Sequence, residues 1–219
     1  MSAPPALNAV SFYSAFVAAL LQLRAARSAG AQWRWPRTTT GLALAVTVPT
    51  VGQFAAPALL GALQRDAKAI ASGEWWRLAT ALLVQDGGVS GSLANITGLL
   101  LIGTVAELLV GGRRLAGIFF AGGLCTEVVA LWWQPTGAGN SIANVSVAAS
   151  LVAWCLIRRR TTAAIIPAST AIAAWAALLA MRDIHAAAAV FGGLMGAGLC
   201  WLRPDGASRC PETVPEPPA

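Results

Sequence analysis

"VSGSLANITGLLLIGTVAELLVGGRR", Val89 to Arg114, decides the architecture of this chain. From Val89 to Leu109 it holds one ionisable side chain, Glu107, and it then stops at two glycines and two arginines. A helix needs about 20 mostly apolar residues to cross roughly 30 Å of hydrocarbon, and within lipid only helices and closed barrels satisfy their own backbone groups. Barrel strands are shorter and alternate in polarity, which this run does not. The segment therefore reads as a transmembrane helix whose basic end lies at a membrane surface.

Runs of the same kind lie on both sides of it. Upstream is Gly41 to Ala62, with Pro49 and Pro57; downstream are Leu115 to Trp133, Ser141 to Ile157, Thr161 to Met181 and Ile184 to Leu202. The expected fold is an all-α membrane protein, a bundle of six transmembrane helices. An extra N-terminal helix, Ala6 to Leu23, carries Asn8, Ser11, Ser14 and Gln22, and suits either a crossing or a position along the interface. Residues 1–40 thus form an apolar helix and a basic cytoplasmic segment, 41–202 the six-helix domain, and 203–219 a Pro-rich, disordered cytoplasmic tail. Between the first two spans, "LQRDAKAIASGEWWRLATALLVQD" is mixed in polarity and reads as an outside loop with an interfacial helix.

Composition agrees, with 57% hydrophobic and 11% charged residues. The net charge of +6 resides in the connections, not in a basic stripe with interleaved aromatics, so nucleic acid is not an expected partner. Alternating the six spans puts Arg24, Arg27, Arg34, Arg37, Arg113, Arg114, Arg158 to Arg160, Arg203 and Arg209 on one side. Only Arg65, Lys68, Arg77 and Arg182 fall on the other, so the first side is expected to be cytoplasmic. The N-terminus has no basic residue ahead of its first apolar run and lacks the charged start of a secretory signal. Four cysteines without CxxC pairing are expected to be reduced thiols.

This topology places Ser141, His185 and Asn95 at one level near the outer surface, Asn95 being about six residues, or roughly 9 Å, into its helix. An imidazole that takes a hydroxyl proton makes a nucleophile, and the resulting oxyanion needs donors such as an Asn amide or the free N–H groups at a helix start. His185 is the single histidine of the chain. Ala188, Gly192 and Gly196 follow it at helical spacing, a small-residue stripe that permits close helix approach in lipid.

These features resemble the rhomboid family of intramembrane serine proteases over about Gly41 to Leu202. The resemblance rests on "GEWWRLAT" (73–80), Asn95, "VAELLVGGRR" (105–114), "GNS" (139–141) and "HAAAAVFGG" (185–193). It implies a six-helix rhomboid-like bundle that cuts substrate transmembrane segments near the outer face with a Ser-His dyad, without metal or organic cofactor. Ser141 would be the nucleophile and His185 the general base; Asn95, with Asn140, would support the oxyanion. Trp76 and Arg77 would match the family's Trp-Arg pair, Glu107 its acidic position, and Gly192 and Gly196 the helix-packing positions. The partners implied are transmembrane-helix substrates and the bilayer, in a multi-pass protein expected in a bacterial cell membrane with its C-terminus in the cytoplasm. The chain departs from the family at Ile142, where a glycine follows the serine, at Gly91, where a histidine precedes the helix-two asparagine, and at Val145, where an aromatic packs under the catalytic histidine.

Each residue also has a plainer reading. Ser141 would be an N-cap, His185 beside Asp183 an interfacial hydrogen-bonding residue, and Asn95 an interhelical hydrogen bond. Glu107 would pair with Arg113 or Arg114, and Trp75, Trp76, Trp132 and Trp133 would form an interfacial belt. Glu127, inside the third span, reads as a protonated or hydrogen-bonded structural acid. Two other functions follow from these readings: an inactive rhomboid-like protein that binds transmembrane helices, or a small proton-coupled transporter using Glu127.

Overall fold

The computed structural model describes residues 5–28, 34–158 and 162–201. The expected tail at 203–219, and Arg159 and Arg160 of the basic side, lie outside the described residues. In chain order the elements are α1 (Pro5–Ser28), α2 (Arg37–Ala55), α3 (Ala58–Leu63), β1 (Arg65–Asp66), α4 (Ala67–Ala71), α5 (Arg77–Thr80), α6 (Gly88–Val110), α7 (Gly112–Trp133), β2 (Thr136–Gly137), α8 (Ser141–Arg158), α9 (Thr162–Ala180) and α10 (Ile184–Trp201). The protein is an all-α bundle apart from the two-residue strands β1 and β2. Within α1, α6, α7, α9 and α10 lie stretches long and apolar enough to cross a membrane, and α8 is a shorter apolar helix.

The first expected span is displaced. Instead of running from Gly41 to Ala62, α2 starts at Arg37 and ends at Ala55. Pro57 explains the end, because a residue before proline is pushed out of the helical region, and Ala56 sits at φ −132°, ψ 86°. Glu107, from the far end of α6, explains the start. Its carboxylate accepts the backbone N–H of Thr38 at 3.0 Å and of Thr39 at 2.7 Å, and the Thr39 hydroxyl at 2.9 Å, at the positive end of α2. The expected pairing of Glu107 with Arg113 or Arg114 is therefore replaced by helix capping, and Arg114 instead donates to Val110 O at 2.9 Å.

Helix α1 packs against α9, α8 and α6. Its polar residues explain why the sequence allows two placements: Ser11 and Gln22 are fully buried, so they face the bundle, not the surroundings. With a candidate span from Ala6 to Ala25, α1 is one of the five helices long and apolar enough to cross a membrane.

The loop between α2 and α6 is more ordered than one interfacial helix. Strand β1 pairs antiparallel with β2, Arg65 opposite Gly137 and Asp66 opposite Thr136, which ties this loop to the turn before α8. Arg65 forms a buried ion pair with Glu127 of α7 and donates from Nε to Gln134 O at 2.9 Å. Arg77 is a second clamp: it donates to Glu74 at 2.7 Å, to Gly61 O at 2.7 Å and to Gln64 O at 3.1 Å. A lysine ammonium lacks the planar fork that reaches three acceptors at once. Arg77→Lys should lower the unfolding midpoint in detergent, by a stability loss of about 1–2 kcal/mol, with helix content unchanged.

The tightest packing joins α8 to α10. A Cβ on Gly192 would lie 2.6 Å from Ser146 Cα and one on Gly196 2.7 Å from Ser150 Cα, so the two backbones touch where only glycine fits. Ser146 Oγ also donates to Ala188 O at 3.1 Å across the same seam. The starts of α8 and α10 consequently lie side by side at one end of the bundle.

Candidate active site

Ser141 opens α8. Asn140 O accepts the Asn144 N–H at 2.9 Å, so Asn140, not Ser141, is the capping residue, and Ser141 is the first residue of the helix proper. The preceding turn is shaped by Gly139 at φ +144°, a backbone conformation that favours glycine. Its N–H donates to Ala81 O at 2.8 Å, which fixes the serine turn to the α5 end of the long loop.

The second residue of α10 is His185, whose Nε2 lies 3.1 Å from Ser141 Oγ. Its Nδ1 lies 2.7 Å from Asp183 Oδ1, and the same oxygen accepts the His185 backbone N–H at 2.9 Å. The imidazole side chain is 19% exposed and that of Asp183 only 6%, so the ring is reachable while the carboxylate behind it is shielded. Asp183 is aimed by a tight turn between α9 and α10. Arg182 has φ 54°, the one non-glycine positive φ among the described residues, and the Asp183 N–H donates to Leu178 O at 3.0 Å. Burial pushes the Asp183 carboxyl up, but the hydrogen bonds and charge of His185 outweigh it and hold the group below its ordinary value.

On the other side of Ser141 is a network of amides. Asn95 Nδ2 donates to Gln85 Oε1 at 2.7 Å, and Gln85 Nε2 donates to Asn140 Oδ1 at 2.8 Å. Asn140 and Asn144 both donate to Asn95 O, at 3.3 and 2.9 Å. Gln85 N–H is accepted in turn by Gln53 Oε1 of α2 at 3.0 Å. An amide nitrogen carries two hydrogens, and the bond to Gln85 uses one of those on Asn95. The position that a Gly139 Cβ would take is 3.3 Å from Asn95 Nδ2 and 3.8 Å from Ser141 Oγ, so glycine leaves a small hollow bordered by both groups. Asn140 is fully buried and its amide belongs to the network.

The other residues singled out in the sequence lie elsewhere. Trp75 and Trp76 are exposed at the loop surface and Trp132 at the end of α7, while Arg77 holds that loop. Glu107 is twelve residues beyond Asn95 on α6, roughly 18 Å away at the opposite end. Gly192 and Gly196 form the α8–α10 seam below the dyad. Of the departures, Ile142 and Val145 are buried in the core, and Gly91 borders open space with nothing within 4 Å of its Cβ position. Sequence reasoning missed Asp183 as a partner of the imidazole, and missed Gln85, Gln53 and Asn144. Only Asp183 carried a signal, an Asp two residues before a His at a helix start.

The Rhomboid domain family model matches residues 72–204, from the loop before α5 through α10. No curated protein matches the chain.

Proposed function

The chain belongs to the rhomboid family, and from that premise we propose that it is an intramembrane serine protease cutting substrate transmembrane segments with Ser141 and His185. One observation carries the reading: a hydroxyl and an imidazole on separate helices meet at 3.1 Å, at the end of a seam that lets those helices touch. His185 Nε2 takes the Ser141 proton as Oγ attacks the substrate carbonyl, then gives it to the departing amine. The acyl-enzyme that remains is hydrolysed by water activated through the same nitrogen. The tetrahedral oxyanion lies by the free N–H groups at the start of α8 and the second Asn95 N–H. With the arginines on the cytoplasmic side, Ser141 faces the outer surface, where water is available.

Gly91 favours a second reading. Open space stands where the family has a histidine, so this oxyanion site has one donor fewer than its relatives, and a missing donor typically costs about 2.7–4 kcal/mol of transition-state stabilisation. Under that reading the chain binds transmembrane helices without cutting them. The transporter reading has less support, since Glu127 is held in an ion pair with Arg65.

A fluorophosphonate probe on the reconstituted full-length protein decides between the first two. The protease should form an adduct at Ser141, and Asn95→Ala should slow labelling about 10²-fold. Folded protein that takes up no probe would leave the helix-binding reading.

A further inference from the structure

We infer that Asp183 is a positioning residue for the imidazole, so that the working unit is a chain of three side chains, Asp183, His185 and Ser141. This inference rests on the reading of Ser141 and His185 as nucleophile and base. A neutral imidazole has one N–H and one lone pair, and whichever nitrogen donates leaves the other to accept. Asp183 Oδ1, 2.7 Å from Nδ1, accepts the proton there and leaves the Nε2 lone pair facing Ser141 Oγ at 3.1 Å. When Nε2 takes the serine proton, the imidazolium formed lies against a carboxylate that is almost entirely shielded from solvent.

Asp183 is held in turn. The strained turn at Arg182 delivers it, and the Asp183 N–H donates to Leu178 O at 3.0 Å.

The competing role for Asp183 is an N-cap of α10, since its Oδ1 also accepts the His185 backbone N–H at 2.9 Å. An asparagine whose oxygen takes the place of Oδ1 still caps the helix and still accepts from Nδ1, but carries no charge to stabilise the imidazolium. Asp183→Asn thus separates the roles. In a catalytic triad the corresponding change costs about 10⁴ in rate; here the fluorophosphonate labelling rate should fall by about 10²-fold or more, with the unfolding midpoint unchanged. Asp183→Ser, which keeps a cap and removes the charge, should lose labelling to a similar extent.

His185 being the single histidine, ¹⁵N-histidine labelling on a histidine-free purification tag gives one imidazole spectrum. The wild-type neutral ring should carry its proton on Nδ1, and Asp183→Ser, whose shorter side chain no longer reaches Nδ1, should shift it toward Nε2. A wild-type ring protonated on Nε2, or variants whose labelling and spectrum match wild type, overturns the proposal. If wild type takes up no probe, the protease reading fails, and the spectrum alone then decides whether Asp183 holds the ring.

Discussion

Ser141→Ala is expected to abolish fluorophosphonate labelling and to reduce cleavage of a reconstituted single-span substrate to background, while His185→Ala lowers both by at least about 10³-fold. The two losses should not add. Nucleophile and base act in one step, so once the hydroxyl is gone an imidazole has no proton to take, and the double variant should be no slower than Ser141→Ala alone. Neither substitution should disturb folding. Ser141 is the first residue of α8, not its cap, and His185 is partly exposed, so each replacement removes little buried surface and no helix-terminal bond. Unchanged labelling in Ser141→Ala, or additive losses in the double variant, would exclude this pair as the reacting groups. Equal melting temperatures for all three proteins would show that the loss is chemical.

The helices are legible because the residues that stop them are local. Gly111, at φ 93°, ends α6, and α8 and α10 begin at the expected positions since a Gly-Asn turn and an Asp precede them. The first span falls elsewhere for an equally local reason: membrane helices often tolerate proline, but here Ala56 before Pro57 breaks the helix. Ser141, His185 and Asn95 can be set at one depth by counting residues along alternating spans. The other partners cannot. Gln85 and Gln53 meet through a loop whose path depends on the β1–β2 pair and the Arg77 clamp, neither of which has a periodic signature. Asp183 reaches His185 because Arg182 adopts a conformation usually left to glycine or asparagine, and nothing in the residue type announces it. Glu107 misleads because nearby arginines in sequence suggest a partner, whereas the unsatisfied N–H groups of α2 supply a better one.

Gly192→Ala should cost at least about 10²-fold in labelling rate, although the added methyl lies seven residues, roughly 10 Å, along α10 from His185. A Cβ there would stand 2.6 Å from Ser146 Cα, and a backbone atom cannot rotate out of the way as a side-chain tip can. The helices must part by most of an ångström, a cost of about 1–3 kcal/mol in overpacking, and the gap opens directly beneath the dyad. A Ser-His contact already at 3.1 Å has little room to lengthen before proton transfer loses its path. Gly196→Ala meets the Ser150 backbone in the same way but one turn further down, so its stability loss should be similar and its rate loss smaller. Gly193 provides the contrast: nothing lies within 4 Å of its Cβ position, and Gly193→Ala should leave both labelling and melting unchanged. If Gly192→Ala and Gly193→Ala behave alike, the seam does not set the Ser141–His185 distance, and the alignment of the two helix starts must come instead from the loops that precede them.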